Sequence, residues 1–190
     1  MSAVETLAGA LESLRAYGAA DPAIVSVRGL EPLVAGVTLG AGKRAWLFPG
    51  QRERACALLR GADPTRLDAA RPYRVVPPGK SPAARAMQAV GAALATGERA
   101  VVFCGTGSAA YGALLEALAR AGATGAEVTF VLGWYAAPGP FTVSLPQGPA
   151  ALAQGLGLAG VVIDGTDAQA VFAALAAARG PTLLEARLNR

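Results

Sequence analysis

The sequence predicts an α/β fold of three layers, in which a mostly parallel sheet is covered by helices on both faces. Runs of strand length at 100–104, 127–132 and Thr182–Leu188 are almost continuously apolar, which is typical of strands buried on both faces. Segments with apolar residues at helical spacing separate these runs. Strands that alternate with helices favour a parallel sheet between two helical layers.

The chain of 190 residues has the length of one well-buried domain, which we expect to span 1–190. Its hydrophobic fraction is 53% and its aromatic fraction only 6%, so Ala, Leu and Val must fill the core. No apolar stretch reaches the roughly 20 residues that a membrane span needs, and Glu5, Glu12 and Arg15 interrupt the region where a signal peptide would be apolar. We therefore expect a cytoplasmic protein without a membrane partner.

Turn and cap residues set the boundaries of the predicted elements. Gly18 with Asp21-Pro22 is expected to end the first helix, and Ser81-Pro82 to open another. Thr166 and Gln169 have the spacing of a capping box. The elements in chain order are a helix over 3–17, a strand over 44–48, a helix over 51–60, a loop over 67–79, a helix over 81–96, a strand over 100–104, a helix through Leu114, Leu115, Leu118 and Ala121, a strand over 127–132, a mobile segment over 136–147, a strand over 161–163, a helix over 167–179 and a strand over Thr182–Leu188. In the helix over 81–96, Met87, Val90 and Leu94 are expected to be buried.

Positive charge is concentrated in the middle of the chain. Residues 43–99 hold eleven Lys or Arg against four Asp or Glu, a net +7, whereas the whole chain carries +4. Such an Arg-rich segment could contact phosphate or an acidic partner, or form a solvated basic face. Nucleic acid is not expected as a partner, because no aromatic stacking platform is interleaved with these cations.

A Gly-Thr-Gly turn follows the strand over 100–104. In an open parallel sheet, ligands bind beyond the carboxyl ends of the strands, where glycines let main-chain amides approach an anion. Gly105-Thr106-Gly107 lies at such a place, although a strand-to-helix turn without a ligand would look the same. Cys104 comes just before the turn, but the chain contains no His that could activate it, so we expect a buried structural thiol.

This arrangement resembles the alpha subunit of the first component of 2-oxoacid dehydrogenase complexes, a family with the thiamine-diphosphate-binding fold. That family carries Gly-Asp-Gly after an apolar strand and Asn-Asn at the end of the next. Here 26 residues (108–133) separate Gly105-Thr106-Gly107 from Trp134-Tyr135. Five further segments are similar to family motifs: 29–32, 45–54, 87–93, 162–167 and 180–186.

The resemblance implies a cofactor site from which the magnesium ligands are missing. In the family, the Asp and an Asn coordinate magnesium together with the cofactor phosphates. Thr106 could offer only a neutral hydroxyl, and Trp134 and Tyr135 cannot replace the Asn; their two rings are expected to fill the diphosphate cavity. Arg54 and Gln88 stand where the family has His, and only Arg52 persists as a matched anion contact.

The resemblance therefore implies a degenerate alpha-type subunit that serves as a structural or regulatory partner of a beta-type subunit, or that self-associates. The site-equivalent positions are Arg52, Gly105, Thr106, Gly107, Trp134 and Tyr135, with no catalytic residue and no metal ligand among them. No cofactor is expected in ordinary form; thiamine diphosphate, if it binds, would lie at a subunit interface. The alternatives are a subunit of an active thiamine-diphosphate-dependent 2-oxoacid decarboxylase or acyl-transfer enzyme with an altered diphosphate site, and a domain that binds another small anion.

Overall fold

A computed structural model describes residues 6–20, 27–79, 81–135 and 145–188. These residues fold around five parallel strands. The strands are β1 (Trp46–Phe48), β2 (Ala100–Gly105), β3 (Val128–Tyr135), β4 (Ala159–Asp164) and β5 (Thr182–Leu188). The helices are α1 (Leu7–Ala20), α2 (Glu31–Gly40), α3 (Cys56–Leu59), α4 (Pro82–Thr96), α5 (Gly112–Thr124), α6 (Gly148–Gly155) and α7 (Ala168–Ala177). The predicted α/β class is confirmed.

The sheet has the strand order β1-β2-β3-β5-β4, and every neighbouring pair is parallel. β2 and β3 are paired from Ala100 with Val128 to Gly105 with Gly133, so both strands reach the same edge of the sheet. The predicted mobile segment 136–147 lies largely outside the described residues. β4 is at one edge of the sheet, and its Val161 and Val162 are exposed although the sequence predicted a buried strand.

Two hydrophobic clusters, one on each face of the sheet, form the core. One joins inward residues of α1, α2, α3 and α7 with alternate residues of the strands, among them Val101, Phe103 and Val131. The other joins α4, α5 and α6 with the intervening residues, among them Val102 and Phe130. Successive residues of one strand thus face opposite layers, as a pleated strand requires.

One helix cap was predicted correctly from the sequence and another was not. Ser81 caps α4 by accepting a hydrogen bond from the Ala84 amide, and the left-handed Gly97 ends that helix, as predicted. The capping box at Thr166 was wrong. Asp167 is the N-cap of α7 and accepts from the amides of Gln169 and Ala170, because its carboxylate lies one residue closer to the helix. The Thr166 hydroxyl instead donates to Asp164.

Four features differ from the sequence predictions. No helix was predicted at α2, whose first turn carries Pro32. α1 continues through Gly18 to Ala20, since a glycine weakens a helix without necessarily ending it. The loop over 67–79 contains 3₁₀ turns at Pro64–Ala69 and Arg71–Tyr73. Met87 and Leu94 are exposed rather than buried, because α4 turns other residues toward the sheet.

Arginines of the basic segment hold the main chain in place. Arg60 donates to the carbonyl oxygens of Lys43 and Gly42, both at 2.7 Å. Arg74 donates to the carbonyl of Arg44, and its guanidinium lies 5.1 Å from the centre of the Trp46 ring. These arginines therefore do more than form a solvated face, since they connect the chain before β1 to the segments that follow it.

Close packing between α2 and α7 depends on two glycines one turn apart. A Cβ on Gly36 would lie 2.7 Å from the Ala168 carbonyl oxygen and 2.7 Å from the Val171 side chain. A Cβ on Gly40 would lie 2.7 Å from the Phe172 carbonyl oxygen. Because main-chain atoms occupy both places, the helices would have to move apart to admit any side chain.

We predict that Gly36→Ala lowers the free energy of unfolding by about 1–3 kcal/mol, the usual cost of overpacking. Urea denaturation followed by circular dichroism measures this change. Gly91→Ala in α4 is the matched control, since a Cβ there would meet nothing within 4 Å. It should stabilise the monomer by up to about 1 kcal/mol through helix propensity. Equal effects of the two substitutions would contradict the packing argument.

Candidate functional site

The candidate site lies at the carboxyl edge of β2 and β3, where the sequence placed it. Gly105 ends β2, and a 3₁₀ turn over Thr106–Ala110 leads into α5. Trp134 and Tyr135 end the neighbouring β3, so the two motifs separated by 26 residues lie side by side. Arg52 follows β1, on the other side of β2, and belongs to the same edge of the sheet.

The hydroxyl of Thr106 connects these two motifs. It donates to the Gly133 carbonyl oxygen at 2.9 Å and accepts from the Tyr135 amide at 3.0 Å. Thr106 is also buried. A hydroxyl has one proton to donate, and here the proton and an acceptor site are both used by the main chain of β3. Thr106 therefore has a structural task at the position where the resembling family has a magnesium ligand.

Trp134 and Tyr135 lie on opposite faces of the sheet. Trp134 packs against the α4, α5 and α6 cluster, and Tyr135 packs against the α1, α2 and α7 cluster. The expectation that both rings fill one cavity does not hold, because β3 extends through these residues and its side chains alternate. The sequence prediction ended this strand at residue 132 and so missed the alternation.

Magnesium with thiamine diphosphate does not fit these residues. The Thr106 hydroxyl is committed to β3, the indole of Trp134 has no acceptor, and the phenol of Tyr135 is on the other face from Trp134. Among the described residues there is no group of three or more His, Cys, Asp or Glu side chains that could hold a metal ion. The main-chain amides of Gly105 and Gly107 are the remaining features of the motif that could face an anion.

Arg85 is a buried cation at this edge that the sequence analysis did not single out. It is only 6% exposed, and its Nη2 donates to the Phe103 carbonyl oxygen at 3.3 Å, one strand residue before Cys104. Its Nε has no hydrogen-bond partner among the described residues. The signal in the sequence was a single charged residue inside a helix that is otherwise uncharged from Pro82 to Thr96.

Glu53 is the carboxylate that faces this arginine. Burial raises the pKa of Glu53, while its own amide and the charges of Arg85 and Arg52 pull that pKa downward. A Cβ on Gly50 would lie 2.3 Å from Glu53 Oε2 and 3.2 Å from Arg85 Nη2, so a larger residue at position 50 would require the ends of these side chains to move. The end of β1 thus brings a half-buried carboxyl group close to a buried guanidinium group.

Cys104 is a buried structural thiol, as predicted. Burial raises its pKa to about 12, and the nearby Arg85 opposes this only in part. Burial also raises the pKa of Cys56, which lies in α3. A thiol with so high a pKa is almost wholly protonated at neutral pH and is a poor nucleophile.

The remaining positions predicted from the sequence do not form a single cluster of side chains at the carboxyl edge of the sheet. Arg52 donates to the carbonyl oxygen of Arg28, which connects it to the chain before α2. Arg54 is half-buried in a 3₁₀ turn, and Gln88 is exposed on α4. Of the site-equivalent residues, the structure brings together Gly105, Thr106 and Gly107 with the end of β3.

Comparison with known proteins does not identify a family for this chain. No protein-family model matches the chain, and no curated protein matches it. Within the described ranges, no helix is long and apolar enough to cross a membrane.

We predict that Thr106→Val, which keeps the shape and removes the hydroxyl, lowers the free energy of unfolding by about 1–3 kcal/mol. The Tyr135 amide would lose its acceptor and should exchange its hydrogen faster. Urea denaturation and hydrogen exchange measure the two effects. The control Thr124→Val removes a hydroxyl that bonds within its own helix at an exposed position, and it should change stability by less than about 0.5 kcal/mol. An unchanged Tyr135 exchange rate would contradict the role given to Thr106.

Proposed function

We propose that this chain is a degenerate alpha-type subunit, related to the thiamine-diphosphate-dependent 2-oxoacid dehydrogenases, that serves as a structural or regulatory partner of a beta-type subunit in the cytoplasm. The observation that carries the proposal is the pair of hydrogen bonds from Thr106 to β3, at the position where the resembling family holds magnesium. A chain that uses this position to fix its own strands retains the architecture without the ligands.

The exposed surface of α4 supports the proposal that the chain binds a partner protein. The one charged residue of this helix, Arg85, is buried, so the exposed face carries no charge where side chains are described. Leu94 is 49% exposed and Met87 37% exposed on this face. Apolar side chains grouped on an uncharged helix face are typical of a protein contact.

Gly91 lies on the same face and supports close approach of another helix. A glycine inside a helix costs about 1 kcal/mol relative to alanine, yet a Cβ on Gly91 would meet nothing within 4 Å. None of the described contacts within the chain therefore calls for glycine there. A helix from a partner that packs across Gly91 would make use of the missing side chain.

We predict that the chain forms a complex with a beta-type subunit from the same genome, and that Leu94→Glu lowers the affinity at least tenfold. The substitution places a charge in the proposed contact, and it should leave the fold intact because Leu94 is half exposed. Size-exclusion chromatography with light scattering measures the complex. Ala16→Glu, on the exposed side of α1 in the other layer, is the matched control and should bind as the parent chain does.

Three other outcomes have distinct meanings. A strictly monomeric chain that binds no beta-type subunit would refute the proposal. A dimer of the chain alone that Leu94→Glu dissociates would replace the beta-type subunit with a second copy. A complex that tolerates Leu94→Glu but not Ala16→Glu would move the contact to the other helical layer.

Arg85 favours the second candidate, a subunit of an active thiamine-diphosphate-dependent enzyme with an altered diphosphate site. A guanidinium can bind phosphate oxygens without a metal ion, and the unpartnered Nε of Arg85 is a donor available for this. Calorimetry with pyrophosphate and no metal discriminates between the candidates. Saturable binding that Arg85→Gln abolishes would favour the enzyme, whereas our proposal predicts no heat at millimolar pyrophosphate.

A further inference from the structure

A large cleft lies away from the candidate site, in the helical layer that contains α1, α2 and α7. Its volume is about 960 Å³, within the usual range for small-ligand pockets. The end of α2, the Gly42-Lys43 turn, α3, the 3₁₀ turn over Arg71–Tyr73 and the first turns of α7 form its walls. Because Gly42 and Lys43 precede the first residue of β1, this wall is at the opposite end of the sheet from Gly105–107.

The lining combines an apolar surface with side chains that have hydrogen-bonding capacity to spare. Leucines from α2 and α3 contribute aliphatic surface, and Phe172 and Tyr73 contribute aromatic rings. The side-chain amide of Gln169 lies in the wall and has no hydrogen bond to the described residues. The Thr38 hydroxyl, in contrast, is occupied by the Val34 carbonyl at 2.6 Å. A ligand with an apolar body would be covered here and could be oriented by Gln169.

The charge of the cleft has one sign. Lys43, Arg60 and Arg74 line it, and none of its described lining residues is Asp or Glu. Glu98 pairs with Arg74, but Arg60 has only carbonyl partners and no carboxylate within ion-pair distance among the described residues. Burial lowers the pKa of Arg60, which reflects the cost of holding this cation away from water. A negative group in the cleft would offset that cost.

We propose that this cleft binds a small organic anion with an aromatic or aliphatic body, such as an aryl or acyl carboxylate, with the anionic group toward Arg60 and the apolar body against Phe172 and Tyr73. This site is independent of the function proposed above, since it shares no residue with the carboxyl edge of β2 and β3. The positive lining selects the charge, and the leucines and aromatic rings select the apolar body.

The test uses the full chain and two dyes that differ mainly in charge. 8-Anilinonaphthalene-1-sulfonate is an aromatic anion, and N-phenyl-1-naphthylamine has the same rings without the sulfonate. Fluorescence titration should give saturable binding of one anionic dye per chain, at least about tenfold tighter than the neutral dye and weakened by salt. No saturable binding of the anionic dye, or equal affinity for the two dyes, would overturn the proposal.

A pair of isosteric substitutions locates the binding. Gln169→Glu places a carboxylate in the wall of the cleft and should weaken the anionic dye at least about fivefold while leaving the neutral dye unchanged. Glu is well tolerated at the N-terminal turn of α7, so the variant should fold. Gln51→Glu, exposed and outside the cleft, makes the same change in net charge and should alter neither affinity by more than about twofold. Equal effects of the two variants would place the dye elsewhere and overturn the proposal.

Discussion

The burial of a parallel sheet on both faces is the constraint on which the rest of this structure depends. With few aromatic residues, the chain covers its five strands with helices built mainly of Ala, Gly, Leu and Val. Small side chains fill the space only if helices come close, and Gly36 and Gly40 allow α2 to touch the main chain of α7. Every strand except the edge strand β4 is thereby removed from water, which fixes the direction of the strands and the edge at which they end.

At that edge, a side-chain hydroxyl completes the hydrogen bonding of the main chain. A turn that leaves a buried strand must satisfy main-chain groups as it leaves the sheet. Here the Thr106 hydroxyl satisfies the Gly133 carbonyl and the Tyr135 amide at the end of β3. A carboxylate at residue 106 could accept from that amide but could not donate to that carbonyl, so the same position cannot hold both this pair of bonds and a metal-binding carboxylate. These hydrogen bonds are the basis of our proposal that residue 106 attaches strands and does not coordinate a metal ion.

Glu185 shows a similar use of a charged group for architecture. It is almost fully buried in β5, accepts from the Ala150 amide at 3.2 Å near the start of α6, and pairs with Arg187 at 3.1 Å. A Cβ on Gly148 would lie 2.6 Å from its carboxylate, so the helix can begin there only with glycine. A negative group near the N-terminus of α6 is favourable, which explains why a glutamate is stable inside the sheet.

The sequence predicted what local patterns determine and missed what tertiary contacts determine. Apolar runs located β2 and β5, and Ser81 and Gly97 located the ends of α4, because strand burial and caps depend on neighbouring residues. The motif spacing also brought Gly105–107 beside the end of β3. Helix α2 was missed because its apolar residues are continuous and show no period.

Features of the site and the surfaces that depend on long-range contacts could not be predicted from the sequence. Nothing local marks Arg85 as buried or places Lys43 and Phe172 in the lining of one cleft, since both features depend on elements far apart in the chain. The faces of Trp134 and Tyr135 depended on the length of β3, which apolar content alone did not give. Met87 and Leu94 fit a helical period but lie on the exposed side of it, because period does not say which face meets the sheet.

The most direct test of the central claim is calorimetry of the full chain with thiamine diphosphate and magnesium, alone and with the beta-type subunit. The account predicts no saturable heat at millimolar cofactor, because residue 106 holds β3 and residues 134 and 135 supply no suitable oxygen ligand. Thr106→Asp combined with Trp134→Asn would restore the ligand types of the resembling family and serves as the comparison. Stoichiometric, magnesium-dependent binding by the unaltered chain would contradict the account.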